Sequence, residues 1–330
     1  MDTIPSAGRM IRERYQVTRV LHQSAWSSVY FTSDKRFPGK WWAIKELRLH
    51  TQDQAERLRI ESLFQETAIS LASCIHPNIV RVVDFFCEHD HLYLVMEYVR
   101  GSSLQVIYDT SLQPLPDLEV AGWGIQLAEA LQFVYFQQGK PAFLWDIRLS
   151  HIMLDDRNQI KLVDFGLAGL LDRERIYHQE MAVGNRTRGI HSLSAKMGYA
   201  APELFGEGGD TSAQCHVYAV GAMLHQLLSR RDPASSPFVF PPLGSLNPQV
   251  SPRLEKVIEK ATRYNAEERH GTLLELKKDL IGFVSSSKGA PSDSSQAAPE
   301  KEPPSTTAAV VAGGVFLLLF LLVLAYFLFF

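Results

Sequence analysis

Three cysteines in 330 residues, Cys74, Cys87 and Cys215, form no even-numbered disulfide framework, which fits a reducing compartment. An excess of one charge is also missing. The 33 basic and 36 acidic residues are spread along the chain for a net charge of −3, so no basic stripe exists to attract DNA or RNA, and nucleic acid is not expected as a partner. Zinc-site spacing is lacking as well: Cys87, His89 and His91 alternate, but no second ligand cluster follows, and the segment reads as a turn between two strands. The start, MDTIPSAGRMIRERY, lacks the apolar core of a signal peptide and leads into a strand-like segment. No internal repeat is present upstream of the tail.

What the chain does have is globular composition, with 46% hydrophobic and 21% charged residues. Residues 308–330, AAVVAGGVFLLLFLLVLAYFLFF, carry no charge. As a helix they would span roughly 35 Å, enough to cross a bilayer. A run hydrophobic all round reads as a transmembrane helix rather than a buried core helix. Ala309 and Gly313 are small residues four apart, a slight basis for dimerisation through that helix. Residues 285–307, SSSKGAPSDSSQAAPEKEPPSTT, have almost nothing to bury and read as a disordered tether. Upstream, the first hundred residues alternate short strand-like runs (YQVTRVL, SSVYFTS, KWWAIKEL, IVRVVDFF, LYLVMEYV) with one helical stretch over 54–75. Beyond Val99, long helical segments dominate, notably 117–137, 213–229 and 252–264, with two brief strands around IMLDD and IKLVDF.

Read in order, WWAIK, HPNIV, LYLVMEYVRGSSL, HIMLDD, IKLVDFG, GYAAPE and the later Arg269 carry a family likeness. From about residue 15 to residue 283 the chain resembles a bacterial-type Ser/Thr protein kinase, as a degenerate member. That resemblance implies an α+β, two-lobed kinase fold. The implied organisation is an N-terminal extension over 1–14, a β-rich small lobe over 15–98, a helical large lobe over 99–284, the tether over 285–307 and the membrane helix over 308–330.

Phosphoryl transfer needs positioning and neutralised phosphate charge more than covalent chemistry, so the resemblance assigns few direct roles. Lys45 matches the lysine that pairs with the α and β phosphates of ATP, and Leu21, Val29, Ala43, Glu97 and Val99 match positions lining the nucleotide cleft. Asp164, followed by Phe165 and Gly166, matches the magnesium-binding aspartate, and a hard cation suits a carboxylate. Asp146 matches the aspartate that accepts the substrate hydroxyl proton, and Arg148 replaces the neighbouring lysine while keeping its charge. Glu203 and Arg269 match a buried ion pair of the large lobe.

The departures concern the shell around these groups. The three glycines of the phosphate loop are replaced by His22, Ser24 and Ser27, where a Cβ hinders close approach of the backbone to phosphate. His22 reads as filling space there rather than supplying charge. The helix glutamate that should pair with Lys45 falls at Thr67, and Glu66 is turned about 100° away around the helix. His-Arg-Asp becomes Leu144, Trp145 and Asp146, which removes the arginine used in the family for an activation-loop phosphate. His151 replaces the asparagine that holds a second magnesium; magnesium prefers oxygen ligands and imidazole suits softer transition metals, so the resemblance implies a weak or single magnesium site, with manganese as an alternative ion. His216 stands where an aspartate braces the catalytic loop, and Lys196 where a threonine faces Asp146. Thr187, Ser192 and Ser194 are polar residues of the activation segment.

Three functions therefore remain open: a membrane-anchored, kinase-like scaffold or allosteric partner with impaired transfer, an unusual but active Ser/Thr kinase, or a binding module with an empty cleft. The first is favoured, because losses around one positioned site each cost about tenfold or more in rate. ATP and reduced thiols place the domain in the cytoplasm, and the substrate or partner protein is unknown from sequence.

Overall fold

The structure is a computed structural model that describes residues 8–24, 27–49, 51, 53–137, 147–163, 198–205 and 212–289. The chain divides into two units, Met1–Lys288 and Gly289–Phe330. Apart from Gly289, the described residues fall in the first unit. The apolar run 308–330 and the tether beyond residue 289 lie outside the described residues, among which no helix is long and apolar enough to cross a membrane.

The small lobe is a six-stranded antiparallel sheet made of β1 (Met10–Ile11), β2 (Tyr15–Gln23), β3 (Ser27–Asp34), β4 (Trp41–Arg48), β5 (Val82–Glu88) and β6 (His91–Glu97), in the order β1-β2-β3-β4-β6-β5. Helix α1 (Gln54–Ser73) starts at Asp53, whose carboxylate accepts the Ala55 N–H at 2.8 Å. It buries Phe64, Ala68 and Leu71, spaced at four and then three residues along one face. Cys87 and His91 lie at the two ends of the β5–β6 turn, and His89 within it adopts φ 55°.

The large lobe contains the short sheet β7 (Gly101–Ser103), β8 (Ile152–Asp155) and β9 (Ile160–Leu162), so a third strand joins the two read from sequence. Its helices are α2 (Leu104–Thr110), α3 (Asp117–Gln137), α4 (Ala213–Ser229), α5 (Leu243–Leu246), α6 (Pro252–Ala261) and α7 (Leu273–Gly289). Every residue of α4 from Cys215 to Leu228 is buried, so this helix is enclosed on all sides, His216, His225 and Gln226 included. Gly221 lets α4 meet α6 closely, since a Cβ there would lie 2.8 Å from the Ala261 Cβ. Residues 285–289 continue α7 instead of opening the tether, because helix propagation from a well-packed start needs no apolar face of its own in the last turn.

One core runs from the inner face of the small sheet through α1 into the large lobe, and a second, smaller one covers the outer face of the small sheet. Of the N-terminal extension read over 1–14, the described residues 8–14 join the small lobe, with Ile11 in this outer core. Met10 pairs with Gln16 and Ile11 with Tyr15, the Val17 N–H donates to the Arg9 carbonyl at 2.8 Å, and Ile11 is buried. This stretch is too short to show alternation, but it brings three arginines to three carboxylates, of which Glu46 and Asp34 are buried. Glu46, 1% exposed, accepts from Tyr30 Oη at 2.5 Å, Tyr93 Oη at 2.7 Å and Arg9 Nη2 at 3.0 Å. Asp34 accepts from Arg14 Nη2 at 2.7 Å and Trp42 Nε1 at 3.0 Å. Asp84 accepts from Tyr15 Oη at 2.9 Å, with Arg12 and Arg14 nearby at 3.6 and 3.5 Å. Burial disfavours the Asp34 anion, but Arg14 and Trp42 together hold its pKa down to about 2. For Glu46 burial is likewise outweighed, by the two tyrosines and Arg9, and its pKa lies below the ordinary value.

Removing Arg9 leaves the Glu46 anion buried with only neutral hydroxyls directly bonded to it. Arg9→Ala is expected to destabilise the chain by about 2 kcal/mol, a charge-assisted bond discounted for the arginine's partial exposure. Urea unfolding measures this, and an unchanged midpoint would count against residues 8–11 as part of the lobe.

Candidate functional site

The register of the small sheet gathers three of the six predicted cleft residues on one face. Lys45 is buried in β4, with Val29 of β3 on one side and Leu94 of β6 on the other. Two residues along, Ala43 pairs with Phe31 and Met96, so alternation places Val29, Ala43 and Lys45 on the inner face. Leu21 departs from this set. The β2–β3 ladder shifts between Val20 and His22, leaving Leu21 as the extra residue of a bulge, 40% exposed, while His22 takes the place opposite Val29. His22 is exposed, so it does not fill space against the sheet.

At the far end of β6, the Glu97 carboxylate receives Lys161 Nζ at 2.6 Å and the Arg81 N–H at 3.3 Å. A carboxylate engaged in this way leaves any nucleotide contact of Glu97 to its main chain. Val99 is half-buried against the main core.

On α1, Thr67 is half-buried and its hydroxyl donates to the Leu63 carbonyl at 2.9 Å, a bond within its own helix. Glu66 is exposed, as the helical rotation requires. The α1 position read from sequence as the partner of Lys45 thus carries an uncharged side chain bonded within its own helix.

In the large lobe, Arg148 and His151 are drawn together. Arg148 Nε donates to His151 Nε2 at 3.1 Å, and the His151 N–H donates to the Arg148 carbonyl at 2.9 Å. His151 is buried, and its Nε2 acts as an acceptor towards a permanent cation, so a metal ion at that nitrogen would have to displace the guanidinium. The strand leading towards Asp164 is fixed from two sides. The Val163 N–H donates to the His151 carbonyl, the Leu162 N–H to Asn78 and the Val80 N–H to Leu162, each at 2.9 Å. Asp146, Asp164, Phe165 and Gly166 themselves lie outside the described residues, as do Leu144, Trp145, Thr187, Ser192, Ser194 and Lys196.

The large-lobe ion pair forms as expected. Arg269 is fully enclosed and donates to Glu203 through Nη1 at 2.7 Å and Nη2 at 2.9 Å. Its remaining donors reach the carbonyls of Arg263, Gln214 and Tyr264, and its plane lies 4.9 Å from the centre of the Tyr218 ring. Burial opposes ionisation of Glu203, yet Arg269 holds its pKa below the ordinary value. Cys215 donates its thiol to Glu203 at 3.1 Å, and burial pushes its pKa up to about 11, so it is an inert thiol. Next to it, His216 is buried edge-on to Tyr135 with its pKa lowered to about 4 by desolvation. A neutral imidazole there cannot supply the negative charge of the aspartate it replaces.

Sequence reasoning missed Arg48, which reaches the turn between β2 and β3 from the outer face. Its signal was present in KELR, where Glu46 and Arg48 alternate on the face opposite Lys45 within an otherwise apolar strand.

The sequence matches the family described as Protein kinase domain over residues 15–276. It is 30% identical over 284 residues to the serine/threonine-protein kinase PrkC of Bacillus subtilis, covering 83% of this chain and 41% of that protein. It is 24% identical over 289 residues to the probable serine/threonine-protein kinase PknB of Lactococcus lactis, covering 84% and 43%. The alignments thus take in about two fifths of these relatives' length. Among solved structures, the Mycobacterium tuberculosis PknI kinase domain superposes with a TM-score of 0.62 at 26% identity, covering 84% of this chain and 99% of that one.

His216 generates a pH test. Its folded pKa lies below the ordinary value, so the unfolded chain takes up the proton first and stability falls as pH drops from about 6.5 towards about 4. His216→Phe is expected to flatten that part of the stability profile measured by denaturant unfolding. A slope identical to the parent's would contradict a neutral, buried imidazole.

Proposed function

The chain belongs to the protein kinase domain family, and from that membership we propose that it is a membrane-anchored Ser/Thr protein kinase-like signalling protein with impaired phosphotransfer. In this reading the cleft takes ATP with magnesium or manganese, and the protein works as a scaffold or allosteric partner of another protein. The observation that carries it is the setting of Lys45: the lysine is kept on the inner face of the sheet, while Thr67 bonds to its own helix and Glu66 points to solvent. In the family that helix position supplies a carboxylate, and a threonine hydroxyl bonded within its own helix brings no charge there to help position phosphate. The Arg148–His151 contact adds to this, because it occupies the imidazole that stands in the second-metal position.

Retention of Lys45, Asp146 and Asp164 together favours a second reading, an atypical kinase that does transfer the γ-phosphate to protein hydroxyls. The charge-free run 308–330 supports a single C-terminal membrane helix, with the folded body on the cytoplasmic side where ATP is supplied and thiols stay reduced.

Full-length protein in detergent micelles separates the readings. ATP with Mg²⁺ or Mn²⁺ is expected to raise the melting temperature without measurable transfer of labelled γ-phosphate to protein. Transfer that Asp164→Asn abolishes establishes the active kinase instead, and an unmoved melting temperature with no transfer leaves an empty binding module. For the anchor, deletion of 308–330 is expected to shift the protein from the membrane to the soluble fraction on ultracentrifugation. Retention in the membrane pellet would remove the tail from the proposal.

A further inference from the structure

A cavity lies apart from the residues read as the nucleotide cleft. Helices α3 and α7 come close at Gly124, where a Cβ would lie 3.1 Å from the Leu280 Cδ1. Further along the pair, Lys277 Nζ of α7 bridges to Glu129 of α3 at 2.5 Å. Around and beyond that bridge the two helices and the loop after α1 line a space of about 660 Å³, within the roughly 300–1,000 Å³ of small-ligand sites. Its walls are apolar: Phe133 and Phe136 of α3, Leu273 and Leu274 at the start of α7, and Pro77 of the loop. The rings of Phe133 and His76 form a corner, with centres 5.1 Å apart and planes inclined by 38°, a surface that suits a flat ring.

The polar groups of the lining set what such a ring would carry. Lys277 and Glu129 are the only acid and base among the described residues there, and they are paired, so an ion of either sign would be brought beside a like charge. His76 Nδ1 accepts the Asn78 N–H at 3.1 Å, and burial lowers the pKa of the ring, so the imidazole is neutral with its proton on Nε2. Neither that Nε2–H nor the side-chain amide of Gln132, which also lines the cavity, has a hydrogen-bond partner among the described residues.

We propose that this cavity binds a small uncharged aromatic compound bearing a carbonyl group, its ring against Phe133 and Phe136 and its carbonyl oxygen accepting from His76 Nε2–H and the Gln132 amide. The site stands independently of the nucleotide reading, because none of the residues assigned to nucleotide lines it.

Fluorine NMR line broadening on the full-length chain in neutral detergent micelles, with empty micelles as baseline, tests this. The probes are para-fluorophenylpropanamide, para-fluorophenylpropanoate and para-fluorophenylpropylamine, which differ in charge and share the ring. The amide is expected to bind at least about fivefold more tightly than either ion. Gln132→Trp, which directs an indole into the cavity, is expected to weaken amide binding at least about tenfold, and Gln132→Leu about threefold through the lost hydrogen bond. Glu129→Gln leaves Lys277 uncompensated, and it is expected to turn the preference towards the propanoate by about fivefold. A parent that binds none of the probes, amide binding that both Gln132 variants leave unmoved, or a propanoate that stays the weaker ligand in Glu129→Gln overturns the site. A short peptide centred on para-fluorophenylalanine and bound about a hundredfold more tightly than the amide gives the cavity to a segment of a partner protein. Amide affinity that falls as protein concentration rises, with a dimer in sedimentation, gives it to a second copy, and either result also overturns the proposal.

Discussion

Glu46 follows Lys45 in the chain but faces the opposite side of the sheet, where its carboxylate is closed off from water. A buried anion has to be hydrogen-bonded and neutralised, and that requirement shapes the outer half of the small lobe. Two tyrosine hydroxyls point inward to it from β3 and β6, Arg9 arrives on the N-terminal strand, and Arg48 leans over it towards the β2–β3 turn. Ile11, Tyr15 and Val17 then cover the cluster with apolar surface. The same strand therefore serves two faces: inward it carries the lysine of the cleft, outward it anchors the chain's beginning and the turn above the cleft.

The large lobe rests on a comparable arrangement of opposite polarity. Arg269, fully buried, is matched by Glu203 and by three carbonyls, so every direction in which the guanidinium can donate has an acceptor. Removing either ion would leave the other stranded in a dry interior. Thr67, His151 and His216 each satisfy local needs, through a bond within the helix, an acceptor for Arg148 and a neutral ring against Tyr135. Neither Thr67 nor His216 carries a carboxylate, and His151 offers an imidazole nitrogen rather than an amide oxygen.

Much of this was legible in the chain. Strands β2 to β6 follow from alternating apolar residues, and the limits of α3 and α4 follow from unbroken helical runs. The Glu203–Arg269 pair and the outward turn of Glu66 follow from spacing read against the family pattern. Other features had no such signature. Met10 and Ile11 are too few to show a period, β7 contributes three small polar residues, and the bulge at Leu21 changes pairing without changing composition. The disordered reading of residues 285–289 failed because polar composition does not reveal that a packed helix is already propagating through them.

Arg48 marks where the two kinds of information part. The sequence by itself determined the family and the lobe order, and it nominated the cleft residues, because these depend on residue types at fixed intervals along the chain. Only the tertiary structure decided what those residues do to one another. Ser24 and Ser28 lie 24 and 20 positions from Arg48, and whether a guanidinium meets them depends on strand register and on which face of the sheet each side chain takes. A local pattern cannot encode that outcome, since shifting a strand by one residue reverses the face of every side chain in it.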